Sequence, residues 1–279
     1  MAAAAGILFT FSLSSCSGHN TSDASSDRST IDTTLHATEI DMTVLSAVRS
    51  YALPDTAATD SLYLSIAADM QWPKIIGHHD IKVLQDSIRR ICFPTDARDD
   101  IEQALLSYVA DIRQAGFNSE DATSITRVVQ ENTNSYSIST TGKFLDFGKR
   151  LITYQAEKYA YLGGAHPNTS IKIFTFDLMR GKVITIKDLI SAEKMPLFTI
   201  GLKKQLADQC ELTIAELNQD LLVKEFTVSN DIYIEDGFIY VHYDPYEILP
   251  YSMGPINVEM SPYEYSSLLT PYGKELLLD

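Results

Sequence analysis

Apolar residues alternate with others along Leu62-Tyr63-Leu64-Ser65-Ile66-Ala67-Ala68-Asp69-Met70, and a period of two predicts a half-buried strand. The period then lengthens. Ile81, Leu84, Ile88 and Ile91 recur at helical spacing, and Ile101, Leu105, Tyr108, Val109 and Ile112 mark one face of a second helix. Asp99, Asp100 and Glu102 stand at its start, where the helix dipole favours anions, and Gly116 supplies a stop. From about residue 134 the pattern is that of strands, expected at 136–145, 151–162, 171–177 and 183–186. Arg180-Gly181-Lys182 is the turn that makes the last two a hairpin. A helix over 196–210 opens on proline, which suits a first turn. Thr213 and Glu216, three apart, form a capping box for a short helix. Further strands are expected at 226–228, 232–234, 238–243 and 256–260, then a final helix over 262–269. The order predicts an α+β fold. A mainly antiparallel sheet with inserted helices occupies 131–279, preceded by a smaller helix-containing α+β lobe at 41–130.

The first 40 residues follow a different pattern. A short apolar run over 2–13 ends at Ser14-Ser15-Cys16, which predicts a signal peptide over 1–15. Leu13-Ser14-Ser15-Cys16 resembles the bacterial lipobox, in which the cysteine thiol is lipidated; the resemblance implies a lipid anchor on Cys16. Nine of the eighteen residues over 17–34 are Ser or Thr, a composition that buries too little to order itself. Residues 16–40 are therefore expected to be a disordered tether between anchor and body. No apolar run approaches the roughly 20 residues of a membrane helix. Cys92 and Cys210 lie on apolar helical faces in different halves and read as two separate thiols, although an exported protein could pair them.

Charge narrows the function classes. With 22 Lys+Arg against 37 Asp+Glu the formal net charge is −15, which argues against binding a phosphate backbone, so no nucleic-acid partner is expected. The imbalance is uneven. Residues 225–273 hold eight acids and no Lys or Arg, and eight of the fifteen tyrosines lie between 233 and 279. Tyrosine gives large contact area at low entropic cost, so an acidic, tyrosine-rich segment suits docking of a cationic partner.

Catalytic motifs are sparse. The sequence has no GxSxG, HExxH, CxxC or Walker A pattern, and no catalytic residue, metal ligand or cofactor is expected. His78-His79-Asp80 reads as a turn or cap. His166 follows a double glycine, and His242 just precedes Asp244-Pro245-Tyr246-Glu247. An alternative reading, a cell-wall hydrolase or deacetylase, would use His166, His242 and Glu247 as acid–base or metal-binding groups.

Four segments carry a family resemblance: Tyr161-Leu-Gly163-Gly164-Ala-His166-Pro-Asn168; Phe176-Asp177-Leu-Met-Arg-Gly181-Lys182; Thr185-Ile-Lys-Asp188-Leu189; and Tyr243-Asp244-Pro-Tyr246-Glu247-Ile-Leu-Pro250-Tyr251-Ser-Met-Gly254. They resemble an exported domain of unknown function. It is found in RsiV-type, lysozyme-sensing anti-sigma factors, before the catalytic domain of PdaC-type peptidoglycan deacetylases, and in lipoproteins of Bacteroides-like bacteria. The resemblance covers about 155–270 and implies a non-enzymatic α+β envelope module that binds a partner, a lysozyme-like basic protein or peptidoglycan. The candidate binding face is Tyr243, Asp244, Tyr246, Glu247 and Tyr251. Gly163, Gly164, His166, Asn168, Asp177, Gly181, Pro250 and Gly254 are expected to be structural.

Overall fold

A computed structural model describes residues 40–53, 62–111, 135–163 and 165–278. Cys16, Gly116, Gly164, the predicted signal peptide and all of the tether except Ile40 lie outside these residues. The fold is α+β, with a six-stranded sheet and a three-stranded sheet. The large sheet runs β1 (Ile40–Leu53), β2 (Leu62–Ile76), β3 (Ser135–Phe147), β4 (Leu151–Tyr161), β5 (Asn168–Asp177) and β6 (Lys182–Val183) in chain order. All neighbours are antiparallel except β2 and β3. Helices α1 (Lys82–Cys92) and α2 (Ile101–Ala110) lie in the connection between that parallel pair, as a crossover requires. One sheet therefore takes strands from both sides of residue 130.

Helix α1 buries Leu84, Ile88 and Cys92 against the sheet, and burial pushes the Cys92 thiol up to about 12. Asp100 caps α2 by accepting from Gln103 N at 2.9 Å. Beyond β6 come the short α3 (Ile186–Leu189), then α4 (Met195–Gln209) and α5 (Ile214–Asp220). The capping box of α5 forms as its spacing predicts, with Glu216 Oε2 accepting from Thr213 N at 2.8 Å. The small antiparallel sheet is β7 (Ile232–Glu235), β8 (Phe238–Tyr243) and β9 (Ile256–Met260), and α6 (Pro271–Leu277) ends the described chain. Cys92 is buried, Cys210 half-buried, and both are free thiols.

Four elements differ from expectation. β1 is an extra strand; its two faces are both partly apolar, so it shows no clean alternation. Residues 226–228 form a loop on which only Phe226 is buried. At 183–186 the strand stops after Val183, because Thr185 and Asp188 close a second capping box that starts α3. Residues 262–268 form turns, and the last helix begins instead at Pro271, where Thr270 Oγ1 accepts from Gly273 N.

The buried apolar residues form two clusters, one from Leu45 to Leu178 and one from Ile184 to Leu277. Two buried groups of polar contacts are among those that join them. Thr153 and Thr175, cross-strand partners on β4 and β5, hydrogen-bond each other at 2.9 Å and both bond the Ile234 backbone of β7. Asp177, fully buried at the end of β5, accepts from Arg150 Nε and Nη2, the Tyr272 hydroxyl and the backbone N–H groups of Met179 and Arg180. Burial works against its charge, but these donors outweigh it and hold the carboxyl below its usual range. Gly181, at φ +60°, makes the β5–β6 turn.

Candidate functional site

Strand β6 pairs with β5 only at Phe176 and Asp177, so the first half of β5 is left with an open edge. The segment after β8 closes it. Tyr243 ends β8 with its ring buried and its hydroxyl donating to Thr227 O at 2.8 Å. The next carboxylate, Asp244, accepts from Ile171 N at 2.6 Å, giving that N–H the acceptor that a seventh strand would have given, and from Ser170 Oγ at 2.7 Å. Asp244 N donates to Glu247 Oε2, and Glu247 N to Asp244 O, which folds 244–247 into a tight turn. That turn puts Tyr246 at φ +67°, a region costly for a side chain larger than glycine, and leaves its ring about half exposed. Ile248 and Leu249 then bury in the second core and anchor the loop. Pro250 leads into a helical turn at Tyr251–Met253, and Gly254, at φ +66°, turns the chain into β9.

The β4–β5 hairpin brings His166 to the same loop. Its ring stacks on Tyr251 with centroids 3.7 Å apart and planes 13° apart, and Tyr246 packs on Tyr251 at 5.4 Å. His166 Nδ1 lies 2.9 Å from Pro167 O. A carbonyl only accepts, so Nδ1 carries the hydrogen, and Nε2 of the neutral ring can accept from the Tyr246 hydroxyl at 3.4 Å. Tyr251 donates its hydroxyl to Pro167 O at 3.3 Å. Beside this cluster lies a pocket of about 430 Å³, lined by Glu157, Thr169, Ile171, Pro245, Tyr251, Ser252, Gly254 and Pro255. Glu157 is the charged residue among them, and among the described residues it makes no ion pair.

Beneath the loop, His242 is buried with Nδ1 2.8 Å from Asn257 Oδ1 and Nε2 3.3 Å from Asp244 Oδ1. Burial disfavours its charge, yet the Asp244 carboxylate and Asn257 outweigh that and raise its pKa above the ordinary 6.5. Asp244 shifts the other way: burial would raise it, but His242, Ser170 and the Ile171 N–H lower it below 3.8.

The structure sorts the expected residues. Tyr246 and Glu247 are exposed, Tyr251 half-buried, and all three lie on the loop. Tyr243 does not belong to a binding face, because alternation along β8 turns it into the core, and the oxygens of Asp244 are taken up in holding β5. Gly163, at φ +89°, lets the chain leave β4, and Asn168 opens β5. His166 pairs with Pro167 and Tyr246, whereas His242 and Glu247 each bond a different group of Asp244, and among the described residues no three of His, Cys, Asp or Glu could hold a metal ion. His78 and His79 are exposed, in the turn between β2 and α1. Sequence reasoning missed Glu157, Thr169 and Pro255. The register of β4 against β5, which sets Glu157 beside Ile171 and Thr169 beside Tyr159, reveals the first two, and the packing of the loop before β9 against β5 brings in Pro255.

Residues 185–263 match the family model described as "Protein of unknown function (DUF3298)". Among solved structures, the chain is similar to a DUF3298 family member from Bacteroides fragilis NCTC 9343, with a TM-score of 0.65 and 15% identity over 84% of this chain and 95% of that one. A DUF3298 family protein from Pseudomonas aeruginosa PAO1 gives a TM-score of 0.55 at 15% identity, over 84% and 96%. No curated protein matches. At this identity the likeness is one of fold. Loop 244–255 lies within the segment that the family model matches, whereas Glu157, Thr169 and Ile171 of the pocket precede it.

Proposed function

We propose that this chain is a non-enzymatic, lipid-anchored protein of the bacterial envelope, tethered through Cys16, whose loop 244–255 binds a basic partner. The observation that carries the reading is the pocket beside the loop. Its walls are Ile171, Pro245, Tyr251 and Pro255, and Glu157 is the carboxylate among its lining residues. A lysine or arginine side chain fits that chemistry, with its stem on apolar and aromatic walls and its charge near the carboxylate. The exposed Tyr246, held in a strained conformation, offers a rigid ring packed on Tyr251, which lines the pocket, and strain of this kind persists where the surroundings enforce it. The acidic run over 225–273 would steer a cation toward this side of the molecule. The resemblance to the extracytoplasmic domains of RsiV-type proteins suggests a lysozyme-like protein as the partner, and peptidoglycan as the competing ligand.

Calorimetry with a lysozyme and with muropeptides tests the reading. Binding of the lysozyme should weaken about ten-fold in Glu157→Gln, on the order of one lost charge-assisted contact, and should weaken further with added salt. Muropeptide binding without lysozyme binding would reassign the ligand. Binding of neither at micromolar concentration would remove the proposal.

A further inference from the structure

Strand β1 is an edge of the large sheet. It is fourteen residues long, it pairs with β2 on one side, and among the described residues no strand pairs with its other side. Long open edges are normally blunted by lysine, proline or a covering segment, because their free N–H and C=O groups invite another strand. β1 contains neither lysine nor proline, and its solvent-side row Ile40, Met42, Val44 and Val48 is 42–48% exposed. Its two charges are Asp41 and Arg49, and among the described residues neither is in an ion pair. The Arg49 guanidinium lies over the Tyr51 ring, and its Nε is buried without a hydrogen-bond partner.

We infer that β1 pairs antiparallel with β1 of a second copy about a two-fold axis at Leu45, so that one sheet runs through both protomers. Charge complementarity fixes the occupant and the register together. With Leu45 on the axis, Asp41 of each copy stands opposite the second copy's Arg49, twice over, and on the same face of the sheet. Met42 then faces the second copy's Val48, again twice, which covers half of the exposed apolar row. A closed two-fold uses one patch against itself, and a strand with a single acid and a single base eight residues apart has one register that pairs both. The interface lies at the sheet edge opposite the β5 side that carries the pocket, so it does not depend on the proposed ligand.

Sedimentation of the full chain across a range of concentrations tests the inference. The wild type should dimerise. Asp41→Arg and Arg49→Asp each turn two attractive cross-strand pairs into repulsive ones and should each raise the dimer dissociation constant about ten-fold or more. The double variant D41R/R49D restores complementarity and should return the dissociation constant to near the wild-type value. Far-UV circular dichroism identifies a variant that fails to fold; if R49D does, D41R, altered at an exposed position, still gives the answer. A wild type that stays monomeric at 100 µM (an order-of-magnitude ceiling for a specific dimer), single variants that dimerise as well as wild type, or no rescue in the folded double variant would overturn it.

Discussion

Asp177 and Asp244 sit at or just past the end of a strand, and both are held ionised below their ordinary range, yet they serve different ends. Asp177 is fully buried where the two apolar clusters meet, and every group that it binds belongs to the fold's own scaffold. Asp244 is half-buried at the sheet rim, where it substitutes for a missing strand and, in doing so, fixes the turn that exposes Tyr246. The first carboxylate joins the halves of the molecule; the second positions a surface. The same chemistry, a carboxylate saturated with donors, becomes structural or functional according to what lies on its open side.

Removing each carboxylate separates the two roles. Asp177→Ala leaves the Tyr272 hydroxyl and two backbone N–H groups without their acceptor and Arg150 with Glu275 as its remaining carboxylate, and should cost about 3–5 kcal/mol, seen as a large drop in midpoint by thermal or urea unfolding. It should leave partner binding intact wherever the protein remains folded. Asp244→Ala frees the Ile171 N–H at an edge that water can reach, so about 2–3 kcal/mol is expected. Binding should fall together with stability in this variant, because the loop loses its anchor.

A pH series sharpens the contrast further. His242, raised in the fold, contributes stability that is complete below its unfolded pKa of 6.5 and is lost as pH rises through its folded pKa. Asp244, lowered in the fold, contributes stability present above its unfolded pKa of 3.8 and lost as pH falls through its folded pKa. The pair is therefore most stabilising in mildly acidic solution. His242→Gln should flatten the decline in melting temperature as pH rises above 6.5, and a decline of unchanged steepness would assign it to other groups.

The smallest stability effect belongs to Tyr246. Glycine accepts φ +67° without strain, so Tyr246→Gly should change stability by no more than about 1 kcal/mol while weakening partner binding. A variant that loses stability and keeps full binding would make Tyr246 a packing residue.

Helix α1 and strand β3 were legible because one face of each is buried and the other is not, which prints the element's period on the chain. β4 and β5 are buried on both faces over 152–154 and 173–177 and were legible as apolar, aromatic and β-branched runs instead. β1 was not, since an edge strand with apolar residues on both faces carries no such signature. The candidate face was legible only in part. The motif 243–254 marked the right loop, but the periodicity of β8 had already committed Tyr243 to the core. By itself, the sequence determined the fold class, the Thr213–Glu216 capping box, the hairpin turn at Gly181 and the acidic segment, all of which are local or compositional. The tertiary structure alone decided that Glu157 lines a pocket, that His166 stacks on Tyr251 and that Asp244 meets Ile171. Those contacts join residues more than seventy positions apart, and their pairing depends on strand register and sheet packing, which no local pattern encodes.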